Sequence, residues 1–213
     1  DEELQMIIHH PFLEPFGVTY DKNFKVLHYM DGEEELERAR AIIREKIEAV
    51  DDVFKIFMLI NKPYSLSLFQ RINEYLSEED FATYLRIAYQ REEFPNRNPD
   101  IGIDEMLEWF DMADETILME EDELKVYDEI LSEEITIYRG VGAKGGKIRA
   151  ISWTDDINVA KRFQKRYSDG ILYKAKIKKE DVYGYWGSKE TESGDEQEVL
   201  CNPYKIYDIE ELS

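Results

Sequence analysis

The chain has 213 residues, 43% of them hydrophobic and 13% aromatic, a composition that excludes a disordered protein and favours a globular one with a sizeable core. No apolar run reaches membrane-spanning length, so we expect no membrane partner. Cys201 is the only cysteine, which excludes an intrachain disulfide and a thiolate zinc cluster, and we expect no bound metal.

The formal net charge of −21 is unevenly distributed. Residues 1–130 carry 33 acidic and 13 basic side chains, whereas residues 131–213 carry 15 acidic and 14 basic ones. The acidic front half is typical of a solubilising surface, and repulsion of nucleic acid or recruitment of a basic protein is the alternative. Residues 139–179 carry 12 basic against 3 acidic side chains, which suits an anionic small ligand such as a pyrophosphate.

The compartment is only weakly indicated. The sequence starts at Asp1 rather than at a methionine, so a signal peptide that has been removed stays open. The lone cysteine favours a reducing compartment. We expect a monomer in the cytoplasm of its producer or of a targeted cell, with secretion as the alternative.

The front half is predicted to be helical after an irregular start at residues 1–32, where 18–20 and 24–29 form a candidate hairpin. Apolar residues that recur every three or four positions predict a helix over 33–61, which Pro63 ends. Further helices are predicted over 65–76, from a capping box at 77–80 to about Tyr89, over about 104–112 and over about 120–131. No motif in this half indicates a chemical activity.

After Leu131 the hydrophobic periodicity changes from helical to strand-like. This change predicts a domain boundary between a mainly helical domain, 1–131, and a second domain, 132–213. The second domain is predicted to hold one helix, 157–167, and strands at roughly 134–139, 148–153, 171–177, 181–186, 197–202 and 204–209. The predicted fold class is therefore α+β.

The first polar motif is Arg139-Gly140, at the end of a predicted strand. An arginine there can bind a phosphate through two parallel charge-assisted hydrogen bonds. A glycine lets a ligand approach the main chain closely. Taken alone, the pair also fits a plain strand end followed by a turn.

The second motif is Ser152-Trp153-Thr154. Because the two hydroxyl residues are two positions apart on a strand, they point to one face, and Trp153 points to the other face and into the core. Two adjacent hydroxyls can hold a carboxylate and a ribose in register. The alternative is that Thr154 caps the helix that follows it.

The third motif is Glu196-Gln197-Glu198, whose two carboxylates share one face of a strand. Like charges this close raise each other's pKa when buried, so the pair indicates a cationic ligand or a proton-transfer task. A solvent-facing edge strand is the alternative. The polar loop 187–195 ahead of the motif is well placed to meet a second substrate.

Together these motifs resemble the mono-ADP-ribosyltransferases of the Arg–Ser–Glu class, which include bacterial toxins such as the C3-like exoenzymes. The resemblance covers about residues 135–209, with Tyr138-Arg139, 152–154 and 196–198 in the family's order. Trp153 departs from the Ser-Thr-Ser that is common in the toxins. The resemblance implies a split sandwich of two roughly perpendicular antiparallel sheets with NAD in the cleft, and a helical unit ahead of it.

The resemblance implies a role in NAD binding for four residues. Arg139 would hold the phosphates, and Gly140 would hold the nicotinamide carboxamide through its main chain. Ser152 would orient the catalytic carboxylate and the nicotinamide ribose. Thr154 would support the pocket.

The resemblance also implies the catalytic roles. Glu198 would bind the ribose 2′-hydroxyl and stabilise an oxocarbenium-like transition state. Glu196 would take a proton from an arginine acceptor. Phe163 would stack on nicotinamide and Arg166 would lie near the phosphates, although a core position is an equal alternative for Phe163.

The implied activity is transfer of ADP-ribose from NAD to an arginine of an unidentified protein, with release of nicotinamide. Two alternatives share the fold: an NAD glycohydrolase, and a module that only binds a nucleotide or a partner. A nucleic-acid acceptor stays open. The sequence does not distinguish a secreted toxin from a phage-encoded modifier or a cellular regulator.

Overall fold

Helices occupy the front of the chain and strands the back in the computed structural model, which describes residues 11–12, 18–20, 26–29, 33–92, 95, 98, 100–142, 148–187 and 197–212. The predicted α+β class and the helical front part are confirmed. The chain forms two compact units. One comprises Asp1–Tyr75 and Arg86–Pro95, and the other comprises Leu76–Leu85 and Asn96–Ser213.

The first unit contains a hairpin and the helices α1 to α3. The predicted hairpin is confirmed, since β1 and β2 pair in antiparallel fashion. The single helix predicted over 33–61 is wrong, because the Asp52 carboxylate accepts the Phe54 N–H at 2.8 Å and starts a new helix. The elements are β1 (Val18–Tyr20), β2 (Val26–Tyr29), α1 (Glu33–Glu48), α2 (Val53–Leu59) and α3 (Ser65–Ile72).

The next helix, α4, spans Glu78–Arg91 and starts at the predicted cap. Ser77 Oγ accepts the Asp80 N–H at 3.1 Å and donates to the Asp80 carboxylate at 2.9 Å. At the other end of α4, Arg91 donates to the buried hydroxyl of Ser65 at 3.2 Å and to the Ile60 carbonyl at 3.0 Å. Arg91 thereby links the end of α4 to α2 and α3.

The second unit begins with three helices: α5 (Ile103–Met112), α6 (Glu115–Leu118) and α7 (Glu121–Asp128). The sequence predicted α5 and α7 but not α6, which starts where the Asp114 carboxylate accepts the Thr116 N–H at 2.9 Å. A single helical turn is too short to show a hydrophobic period.

Two three-stranded antiparallel sheets follow, with the orders β3-β5-β8 and β4-β7-β6. The predicted strand at 148–153 is shorter than expected, and β8 begins after the predicted 204, because the Asn202 side chain accepts the Tyr204 N–H at 3.0 Å in a turn. The elements are β3 (Glu134–Gly142), β4 (Ser152–Trp153), α8 (Ile157–Gln164), β5 (Gly170–Lys178), β6 (Val182–Trp186), β7 (Glu198–Cys201) and β8 (Tyr207–Leu212).

Helices α5 to α7 pack on β6. The rings of Phe110 and Tyr183 are stacked with centroids 5.3 Å apart, and Trp186 Nε1 donates to the Leu118 carbonyl at 2.8 Å. The predicted boundary at 131/132 marks the change from helices to strands. The strand-bearing compact unit nevertheless includes these helices, because aromatic contacts and hydrogen bonds join them to β6.

Helix α8 lies unusually close to β3 and β5. A Cβ on Gly140 would be 2.0 Å from the Ala160 carbonyl oxygen, and a Cβ on Gly170 would be 2.0 Å from the Gln164 carbonyl oxygen. Real Cβ atoms do not approach main-chain atoms this closely. Glycine at both positions therefore sets the depth at which α8 packs on the sheet.

We expect Gly170→Ala to lower the free energy of unfolding by about 1–3 kcal/mol, because the added methyl group must displace α8. Urea unfolding measures the effect. Gly102→Ala is the control for a methyl group added without a clash, since a Cβ there meets nothing within 4 Å. It should cost less than about 1 kcal/mol, because Gly102 is the N-cap of α5 and alanine is a poorer N-cap than glycine. Equal losses in the two variants would contradict the packing argument.

Three side chains connect all three strands of the β3-β5-β8 sheet. Tyr207 Oη donates to the Glu134 carboxylate at 2.6 Å, and Lys176 Nζ lies 3.0 Å from its other oxygen. The Tyr207 hydrogen bond, followed by Lys176, lowers the pKa of Glu134, and the same bond raises the pKa of Tyr207 to about 12. The contribution of Glu134 to stability is thus present above its ordinary pKa and is lost as the pH falls.

We expect Tyr207→Phe to raise the pKa of the Glu134 carboxyl towards its ordinary value, because the larger of its two stabilising contacts is removed. An NMR titration of that carboxyl group measures the shift. Tyr204→Phe removes a comparable hydroxyl, which donates to Asp104 at 2.8 Å, and should leave Glu134 unchanged.

Candidate functional site

The two sheets of the second unit meet at one bridge between β3 and β4 in the described residues. Tyr138 N donates to the Thr154 carbonyl at 2.7 Å, and Thr154 N donates to the Tyr138 carbonyl at 3.0 Å. Beyond this pair the strands belong to different sheets. The bridge therefore marks the point at which the sheets part.

The side chain of Arg139 lies at this point. Cys201 N donates to the Ile151 carbonyl at 2.9 Å, so the alternation of main-chain groups directs the Ser152 carbonyl to the other edge of β4, towards β3. In a continued ladder this carbonyl would accept the Gly140 N–H. Arg139 Nη1 donates to it instead. A guanidinium thus takes the place of a strand–strand hydrogen bond.

The main chain of Gly140 points to the same side of β3. Both main-chain groups of Tyr138 point towards β4, and main-chain groups two residues apart on a strand point the same way, so those of Gly140 do as well. The absent side chain leaves room for α8, as described above. The glycine is therefore required by helix packing, and its N–H and C=O groups point towards the β4 side of β3.

The hydroxyl residues and Glu198 share one face of the second sheet. Ser152 is opposite Leu200 and Trp153 is opposite Val199, so the same register continued by one residue brings Thr154 opposite Glu198. Ser152 and Glu198 are then diagonal neighbours, which typically lie about 7–8 Å apart.

Trp153 points to the other face of this sheet, as predicted. Its side chain is buried, and its indole N–H donates to the Ala150 carbonyl at 2.9 Å. The alternation of faces that the sequence predicts for the second motif is thus confirmed.

Thr154 is buried, and its hydroxyl has a local partner. Its Oγ1 accepts the Asp156 N–H at 3.1 Å, while the Asp156 carboxylate caps α8 by accepting the Asn158 N–H at 2.7 Å. The alternative predicted for Thr154, a helix cap, is wrong, because Asp156 is the N-cap of α8 and Thr154 bonds within the turn ahead of it. Its support of an NAD pocket stays a prediction.

Glu198 is the first residue of β7 and is half-buried opposite Trp186. Strand β7 is the central strand of its sheet, and Glu198 pairs with β6, whereas the pairing of β7 with β4 reaches only to Val199. Glu196 lies outside the described residues, and so does most of the polar loop predicted at 187–195. The shared face predicted for the two glutamates stays a prediction.

Phe163 and Arg166 contact each other at the end of α8. The Arg166 guanidinium carbon lies 4.1 Å from the centroid of the Phe163 ring, a cation–π contact. Helix α8 packs on the face of β3 that carries Gly140, whereas the Arg139 side chain starts from the opposite face. The roles in NAD binding assigned to Phe163 and Arg166 stay predictions.

Sequence reasoning missed Glu123, one of three buried polar or charged residues in the described part of the chain, with Ser65 and Thr154. Its carboxylate accepts the Glu120 N–H at 2.7 Å and the Gly187 N–H at 2.8 Å. The spacing of Glu120 and Glu123 is that of a capping box, which the sequence does show. The bond to Gly187 has no sequence signal.

Cys201 is fully buried, and burial raises the pKa of its thiol, partly opposed by the Arg139 guanidinium. The thiol is therefore protonated at neutral pH and is not a nucleophile. In the described residues, no group of three or more His, Cys, Asp and Glu side chains is arranged to hold a metal ion.

Comparison of the chain with protein-family models, with curated proteins and with solved structures found no match. Among the described helices, none has the length and apolar character needed to cross a bilayer.

We expect Arg139→Met to lower the free energy of unfolding by about 1.5–3 kcal/mol, because it removes a charged donor from the Ser152 carbonyl. Thermal or urea unfolding measures the loss. Arg162→Met, on the exposed side of α8, is the control and should change stability by less than about 0.5 kcal/mol. A loss no larger than that of the control would show that the junction does not depend on Arg139.

Proposed function

We propose that this protein is an NAD-dependent mono-ADP-ribosyltransferase that modifies an arginine of a target protein. The observation that carries the proposal is the junction where two antiparallel sheets part, with the Arg139 guanidinium bonded to Ser152 at the opening. A cleft between two such sheets is the binding place that the split sandwich of this class would supply. The motifs that suggested the class come from chain positions far apart, and the junction brings two of them into contact.

The chemistry of the opening fits the two ends of the ligand. A guanidinium has five N–H donors, so a bond to Ser152 is compatible with further bonds to a diphosphate. The N–H and C=O of Gly140 form a donor and acceptor side by side, the pattern that a primary carboxamide complements. The same opening thus offers one group for the phosphates and one for the nicotinamide amide.

Glu198 supplies the carboxylate on the face that Ser152 shares. It would accept a hydrogen bond from the ribose and offset the positive charge that develops as the nicotinamide–ribose C–N bond breaks. That bond's electron pair leaves with nicotinamide, a guanidine nitrogen of the acceptor bonds to the same carbon, and the acceptor loses one proton. Glu196 is the proposed receiver of that proton.

We expect Glu198→Gln to lower nicotinamide release about 10²–10³-fold, because the amide keeps the shape but not the charge of the side chain. The assay follows NAD labelled in its ADP-ribose part, with a cell lysate or with agmatine, a small guanidine, as acceptor. Glu211→Gln, an exposed carboxylate of β8, is the control and should keep full activity.

The products separate the alternatives. Label on a protein band and on agmatine supports the transferase, free ADP-ribose alone indicates a glycohydrolase, and no product indicates a binding module. Glu196→Gln should abolish transfer to the guanidine while NAD cleavage continues. Unchanged transfer in that variant would remove the proton-acceptor role from Glu196.

A further inference from the structure

The buried carboxylate of Glu123 lies at the point where α7 meets the end of β6. Its two oxygens accept two main-chain N–H groups, one from Glu120 at the start of α7 and one from Gly187 just after β6. The side chain is only 4% exposed, so each bond replaces a bond to water that the carboxylate has lost. A carboxylate held in this way joins two main-chain segments 64 residues apart.

We propose that Glu123 is a positioning residue for Glu198, acting through β6; this inference rests on the proposed function. Gly187 directly follows Trp186, and Trp186 is the residue opposite Glu198 in the pairing of β6 with β7. The bond from Glu123 therefore holds the chain one residue beyond the register position of Glu198. The position of the Glu198 carboxylate then depends on a bond from helix α7.

Two further features restrict the main chain at the end of β6. Gly187 has φ of 93°, a left-handed conformation that favours glycine, so the chain turns away from the sheet directly after Trp186. The indole N–H of Trp186 donates to the Leu118 carbonyl at 2.8 Å, which is a second bond from the helical segment. Without Glu123 the strand end would keep the Trp186 bond and the bond from Tyr185 N–H to Met119 Sδ at 3.3 Å, but Gly187 would lose its bond to α7.

The consequence for catalysis follows from the position of Glu198. Glu198 is the first residue of β7 and Trp186 is the last residue of β6, so their pairing is the final one between these two strands. A displacement of about 1 Å in a catalytic group can cost about 100-fold in rate. Loosening the end of β6 should therefore reduce turnover more than substrate binding.

The experiment compares Glu123→Ala and Glu123→Gln with Glu121→Gln, which removes the same charge from an exposed position in the same helical turn. We expect Glu123→Ala to lower kcat for nicotinamide release at least about tenfold, with KM for NAD within about twofold. Glu123→Gln keeps one acceptor oxygen and should lose less. Glu121→Gln should match the unsubstituted protein.

Amide hydrogen exchange on the same variants tests the positioning directly. Exchange should accelerate at the amides of Gly187 and Glu198 and stay unchanged along β3 and β5, which reports a local effect. Unchanged kcat in a folded Glu123→Ala, or acceleration spread equally over both sheets in both Glu123 variants, would overturn the proposal.

The exchange measurement also separates this inference from the proposed function. If the unsubstituted protein releases no nicotinamide, the proposed function fails, and the role of Glu123 is then judged on exchange alone. Unchanged exchange at Gly187 and Glu198 in both variants would overturn the inference whatever the activity.

Discussion

The second compact unit depends on how its two antiparallel sheets are joined. In the described residues they share one bridge, between Tyr138 and Thr154. The next main-chain acceptor along β4, the Ser152 carbonyl, is bonded by the Arg139 guanidinium instead of a main-chain N–H. The result is a junction at which the Arg139 guanidinium lies against the main chain of β4.

The rest of the unit supports this junction from two sides. Helix α8 packs closely on β3 and β5, because glycines at 140 and 170 leave no Cβ in its path. Helices α5 to α7 pack on β6 through Phe110, Trp186 and the buried Glu123. The strands on both sides of the junction are therefore fixed by helices, and α5 to α7, although they precede residue 132, belong to the same compact unit as the strands.

Buried polar groups lie at the joints of the fold. Ser65 is bonded by Arg91 where helices of the first unit meet, and Thr154 is bonded where β4 turns into α8. Glu123 is bonded where α7 meets β6. Each of these side chains is itself buried, and its hydrogen bond replaces one to water that burial removes. These hydrogen bonds fix where the elements meet, whereas the apolar core supplies most of the driving force for folding.

The sequence by itself determined the elements whose signals are local. Strand alternation predicted the faces of Ser152, Trp153 and Thr154, and capping residues predicted the start of α4. Sequence analysis missed the break at Asp52 and the one-turn helix α6, because short helical segments show little hydrophobic period. It also missed the compact unit that α5 to α7 share with the strands, because packing partners lie far apart in the sequence. Only the tertiary structure decided that Arg139 meets Ser152, 13 residues away, and that Glu123 meets Gly187, 64 residues away. Periodicity reports which face a side chain occupies, but which other element covers that face depends on the packing of the whole unit.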